Sequence, residues 1–158
     1  MSGRRAPPPM APPAQFHEAA KAGDVDTMQS LIKEHESIDF IASRSGGIMN
    51  NSALHWAAAA GHEAATQFLI ESGANVNEKN GLEDTPLHSA AWRGWESTCS
   101  LLLSAGADPR AENKEGKTPH QLAKNHGDKL VSLLPRFRAS SLTSLEAPSS
   151  DEEEDDDE

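Results

Sequence analysis

Thr85-Pro86-Leu87-His88-Ser89-Ala90-Ala91, with Gly94 just beyond and Ala105-Gly106-Ala107-Asp108 at the close, decides how this chain folds. Thr85 is an N-cap, because its hydroxyl can take an orphan backbone N–H of a helix. Pro86 then falls at the first helical position, where its missing N–H loses no bond and its fixed φ suits a helix. Ala90 and Ala91 are small enough for close packing between helices. Gly94 ends this short helix at a left-handed position that only glycine adopts freely. Leu101, Leu102 and Leu103 give a second helix its buried side, and Gly106 stops it. The unit is turn, short helix, turn, longer helix, loop.

The unit recurs. Thr118-Pro119 lies 33 residues after Thr85-Pro86, and Ser52-Ala53-Leu54-His55 lies 33 residues before. Gly61, Gly94 and Gly127 share that period, as do Gly73 and Gly106. A 33-residue period with Thr-Pro-Leu-His, a double Ala and a Gly-Ala-Asp close resembles the ankyrin repeat family. The resemblance spans residues 16–135. It implies an all-α fold, a solenoid of helix-turn-helix units with hairpin-like loops. It implies little about activity, because such repeats are a scaffold and not a chemistry.

The units are expected at residues 16–50, 51–84, 85–117 and 118–135, within a repeat domain of 16–138. A disordered Pro-rich tail is expected over 1–15, holding Pro7, Pro8, Pro9, Pro12 and Pro13. Residues 139–158, Ser-rich and then acidic, are too poor in apolar side chains to fold alone. In the first unit Phe16-His17-Glu18-Ala19-Ala20 matches Leu54-His55-Trp56-Ala57-Ala58. Gly23 and Gly61 are 38 residues apart, so about five extra residues lie before Ser52. Residues 41–51, with Ser45-Gly46-Gly47, are the place for them, and a long mobile loop is expected there. Pro109, which removes a backbone donor, is expected to make the third loop arm less regular than the second. In the fourth unit Gln121 stands where the histidine was, and Pro135 stops the last helix. Stacking supplies the continuous core that no single unit can bury, and four units satisfy that need.

Charge and composition narrow the function. Asp151–Glu158 are all acidic and supply −8 of the formal −11, leaving −3 for the rest. The body is therefore not a basic nucleic-acid binder. The single cysteine, Cys99, has no intramolecular disulfide partner, which fits a cytosolic or nuclear setting. No apolar run approaches a membrane span. Prolines after Arg4 and Arg5 argue against a secretory signal, and Ser2 excludes N-myristoylation. There is no Gly-rich phosphate loop, no Gly-x-Ser-x-Gly elbow and no paired metal motif. A non-enzyme without cofactor, metal or catalytic residues is expected, monomeric and binding another protein.

Seven histidines invite a metal reading, but no carboxylate or thiol stands at ligand spacing. The resemblance implies instead that His55 and His88, and with them His17, bond to backbone at the turns between repeats. His35, His62, His120 and His126 read as surface residues. Cys99, on the longer helix, reads as a small core residue more than a nucleophile.

Partner contacts in the family involve the loop tips and the two residues before the mid-repeat glycine. Carried onto this chain, the latter are Ala59 and Ala60, Trp92 and Arg93, then Asn125 and His126. The tips include Lys79, Leu82, Asp84, Lys114, Glu115 and Lys117. A Trp–Arg pair on an exposed face has the composition of a binding hot spot; the competing reading has Trp92 packing against a neighbouring repeat. Trp95 is placed to cover a helix end. The acidic tail reads either as a solubiliser or as a lure for a basic client, such as a histone or ribosomal protein. Ser149 and Ser150, each three residues before an acidic one, resemble acidophilic kinase sites. Asn77 resembles the loop asparagine that asparaginyl hydroxylases modify.

Overall fold

The computed structural model describes residues 11–36, 39–123 and 128–134. Its helices are α1 Pro12–Ala22, α2 Val25–His35, α3 Asp39–Ala42, α4 Ala53–Ala60, α5 Glu63–Glu71, α6 Pro86–Arg93, α7 Glu96–Ser104, α8 Pro119–Ala123 and α9 Asp128–Leu133. Four helix pairs stack in two rows. The inner row is α1, α4, α6 and α8; the outer row is α2, α5, α7 and α9. The fold is all-α, and among the described residues the only pairing of extended backbone is the isolated bridge Arg44–Ser52.

The inner row packs closely because its buried side is alanine. Ala57 and Ala58 of α4 and Ala90 and Ala91 of α6 are fully buried. The outer row supplies bulk through Met28, Leu31, Leu69 and Leu102. Between the two helices of the third unit, Gly94 takes φ 84°, the left-handed value its sequence position calls for.

Histidine serves as the reciprocal partner in two capping boxes. Ser52 and Thr85 accept from the N–H groups of His55 and His88, both at 3.4 Å. In return the Ser52 and Thr85 N–H groups donate to the Nδ1 atoms of those histidines, at 3.3 and 3.1 Å. Nδ1 accepts, so Nε2 carries the proton. Nε2 donates to the carbonyls of Asp84 and Lys117, at 2.8 and 2.9 Å. Each ring thus ties its own helix start to the end of the following loop. His17 donates to the Ser43 carbonyl at 3.0 Å, in the manner expected. In the fourth unit Gln121 supplies half of the box, its Oε1 accepting from Thr118 N–H at 2.8 Å, while the buried Thr118 hydroxyl takes no partner among the described residues.

This arrangement makes stability pH-dependent. Burial holds both imidazoles below their ordinary value of 6.5, against the opposing hydrogen bonds to the Asp84 and Lys117 carbonyls. The unfolded chain takes up these protons as pH falls through about 6.5, whereas the folded chain resists them. Their contribution is therefore complete above that value and drains away below it. Tm is expected to fall from about pH 7.5 to about 5.5. His55→Gln with His88→Gln, which copies the arrangement at Gln121, should keep the fold and flatten that slope. A double variant with the parental slope would refute this.

Several expectations are corrected. Helix α1 begins inside the stretch assigned to the N-terminal tail. Pro12 and Pro13 occupy its first turn, where no donor is needed, and Ala14 and Gln15 N–H both reach the Ala11 carbonyl. The rest of that expected tail, and residues 139–158, lie outside the described residues. His120 is buried, with its Nδ1 2.7 Å from the Leu134 carbonyl, because α9 closes over it. His62 is half-buried and donates to the Lys21 carbonyl at 3.1 Å. His35 is exposed as expected, and His126 lies outside the described residues. Pro109 does not disturb its arm: Asp108 and Asn75 side chains accept from the N–H two residues on, at 2.9 and 3.0 Å, so both arms make the same turn.

The extra residues before Ser52, expected as a long mobile loop, are bonded at both ends. Helix α3 opens them, and the bridge Arg44–Ser52 closes them. Arg44 pairs with Glu78 and donates to the carbonyls of Lys79 at 2.7 Å and Asn50 at 3.3 Å. Gly81 N–H donates to the Met49 carbonyl at 2.7 Å. The insertion is thus strapped to the loop of the next unit. Gly81 has no room for a side chain: a Cβ there would lie 1.9 Å from the Ile48 carbonyl oxygen. Gly81→Ala should cost about 1–3 kcal/mol, because backbone must move to admit the methyl. It should also release the residue-81 amide to faster hydrogen exchange. An unchanged Tm with that amide still protected would show the strap to be unimportant.

Candidate functional site

The concave side of the stack, between the inner helices and the loop tips, holds a groove of about 430 Å³. Seven of the residues expected at a partner surface line it: Ala59, Leu82, Asp84, Trp92, Arg93, Glu115 and Lys117. Trp92 is 58% exposed, although it follows the two fully buried alanines of α6. The periodicity of the helix explains this: Leu87, Ala90 and Ala91 face the stack, which turns Trp92 and Arg93 outward. The Arg93 guanidinium stacks on the Trp92 ring, its carbon 4.9 Å from the centroid. Trp56 and Met49, neither singled out as a contact residue from sequence, line the same groove. Lys21 sits over the Trp56 ring at 5.5 Å.

Loop side chains build the opposite wall. Asn80 Oδ1 accepts from Leu82 and Asp84 N–H groups, and Asn113 Oδ1 from those of Glu115 and Lys117. Asn113 Nδ2 also donates to Asp84 Oδ1 at 2.8 Å, joining one tip to the next. Lys117 pairs with Glu115 at 2.6 Å.

The other expected residues stand apart. Ala60, Lys79 and Lys114 do not line the groove. Lys79 reaches the Glu112 carbonyl at 3.3 Å and pairs with Glu83, so it braces adjacent loops. Lys114 N–H donates to the Leu82 carbonyl at 3.0 Å. Asn125, His126, Ser149 and Ser150 lie outside the described residues. Asn77 bridges two loops, accepting from Asp108 N–H at 2.7 Å and donating to the Gly106 carbonyl at 3.2 Å. Trp95 covers a helix end as expected, donating through Nε1 to the Ala59 carbonyl at 3.0 Å with its ring against Gly61.

Cys99 is buried in the core, and burial pushes its thiol up to about 12, far from a reactive thiolate. No group of three or more metal-ligating side chains occurs among the described residues. No described helix is long and apolar enough to cross a membrane.

A family model for ankyrin repeats, in three copies, matches residues 16–113. Among curated proteins the chain is similar to a transient receptor potential cation channel subfamily A member 1 homolog of Caenorhabditis elegans, 34% identical over 71 residues, 45% of this chain and 6% of that protein. It is also similar to palmitoyltransferase akr1 of Schizosaccharomyces pombe, 43% identical over 63 residues, 40% of this chain and 9% of that protein. The akr1 of Emericella nidulans is 38% identical over 84 residues, 51% of this chain and 11% of that protein. The chain spans only about a tenth or less of these relatives' length. The matched repeats and the two-row helix stack agree: the chain belongs to the ankyrin repeat family, whose repeats generally mediate protein–protein interaction and are typically non-catalytic.

Proposed function

We propose that this chain is a non-catalytic adaptor that binds another protein in its concave groove, around Trp92 and Arg93. The observation that carries the reading is a large aromatic, more than half exposed, stacked by an arginine at the side of a partly apolar groove. Trp and Arg in such a setting dominate the energetics of protein interfaces. Site-specific photocrosslinking tests it. A benzophenone side chain at Ser89, which lines the groove, should yield a covalent adduct in native lysate. The same group at Ser104, on outer helix α7, should yield none. Adducts from Ser104 and none from Ser89 would reject the concave face.

The sequence of the C-terminus favours a second reading, an escort for a basic client in which the acidic run Asp151–Glu158 helps hold the client. Exposed charges are screened beyond about 8 Å at physiological ionic strength. Binding of a basic probe such as polylysine should therefore weaken steeply with salt. Phosphorylation of Ser149 or Ser150 would add about −1.5 to −2 each and tighten it. If deletion of residues 151–158 changes neither the affinity nor its salt slope, the tail serves solubility alone.

A further inference from the structure

The groove is chemically biased. Its apolar side chains include Met49, Trp56, Leu82 and Trp92. Two cations and two carboxylates line it as well, but they are not equally satisfied. Glu115 is taken by Lys117, and Asp84 accepts from Asn113. Among the described residues no carboxylate lies within ion-pair distance of Arg93, whose guanidinium rests on the Trp92 ring. A guanidinium over a ring and without a carboxylate partner has N–H groups left for a planar acceptor, and a carboxylate can match its edge with two parallel bonds.

Met49 adds a wall that the regular repeat does not supply. It belongs to the insertion before Ser52, and its carbonyl is pinned by Gly81 N–H at 2.7 Å. The Arg44 clamp on the Lys79 carbonyl and Glu78 holds the same loop. A flexible thioether on a fixed backbone suits a contact with an aliphatic side chain. Leu82, from the tip that carries Gly81, faces the same space.

Building on the adaptor reading, we propose that the groove takes a partner segment bearing an aliphatic or aromatic side chain close to an acidic one. The apolar side chain seats among Met49, Leu82 and Trp92, and the carboxylate pairs with Arg93. A basic segment is disfavoured beside Arg93, where it would set like charges together, and Lys117 already holds Glu115; Asp84 keeps its charge on the opposite wall, bonded only to the neutral Asn113 amide.

Selection of random twelve-residue peptides against the full chain tests this, with polarisation titrations of a fluorescent peptide from the enriched pool. The pool should be rich in Asp or Glu near Leu, Ile or Phe. Arg93→Glu should weaken the chosen peptide by about tenfold or more, and a Glu-to-Lys version of the peptide should recover binding to that variant. Met49→Ser should weaken it about three- to tenfold with the helical circular dichroism unchanged. A pool rich in Lys and Arg, no enrichment, or indifference to both substitutions would overturn the inference. If Trp92→Ala alone abolishes binding, the adaptor reading survives that failure; if Trp92→Ala also has no effect, both fall. Displacement of the selected peptide by a synthetic peptide of residues 141–158 at equal affinity would make the occupant the chain's own tail. A concentration-dependent dimer lost on Trp92→Ala would make it a second copy. Either result would overturn the partner assignment.

Discussion

Leu102→Ala is expected to destabilise the fold by about 2–5 kcal/mol, the cost of lost burial plus a cavity in a site that relaxes only in part. Leu102 lies in the middle of α7 and is fully buried. Its equivalents in the outer helices α5 and α2, Leu69 and Leu31, are buried too. Helix α7 packs on α5, α6 and α9, which leaves little freedom to collapse onto the space. A domain of this size has about 5–15 kcal/mol in total, so the loss removes a large share. Leu101 supplies the control. It is only half-buried and lines a cleft on the outer side of α7, so Leu101→Ala should cost clearly less. Denaturant titrations of both variants measure the difference. If Leu101→Ala were the more damaging, the register of the third unit would be wrong by one residue.

That register was legible because the signals that set it are local. An N-cap hydroxyl, a proline at the first helical position and a glycine at the end act within a few residues. They repeat at 33 residues, so separate positions report the same phase. His55 and His88 were placed at the turn backbone only through the family resemblance, since those carbonyls lie 29 residues on; their part in the capping boxes was not foreseen. What else sequence reading missed is non-local. Arg44 contacts Glu78 and Lys79, 34 and 35 residues on, and no periodicity announces an insertion that straps itself to the next loop. His120 looked like a surface residue because the helix that buries it follows a break in the repeat spacing. Met49 and Trp56 join the groove only because consecutive units stack with their loop tips on one side. Trp92 and Arg93 were singled out through the family resemblance, and their exposure follows from the helix, which turns the two residues before the repeat glycine outward.

Trp92→Ala should cost at least about 2 kcal/mol of partner affinity and leave stability nearly unchanged. The two halves of that expectation have separate causes. At 58% exposure much of the indole is still in water, so truncation surrenders little folding free energy. A partner that covers the ring would remove that remaining area from water, with only two torsions to freeze. The substitution also takes away the surface on which Arg93 stacks, so the guanidinium loses its orientation along with its cation–π contact. Arg93→Ala alone should therefore cost less than Trp92→Ala, and the double variant should cost less than the sum, since the two act as one unit. Trp95→Ala is the contrasting case. Its indole N–H is bonded to the Ala59 carbonyl and its ring fills the space beside Gly61, so its loss should lower Tm first. Calorimetry of binding and thermal melts on the same four variants separate these outcomes. A Trp92→Ala chain that melts early yet binds normally in the cold would turn Trp92 into a packing residue, and the centre of the groove would have to be sought elsewhere.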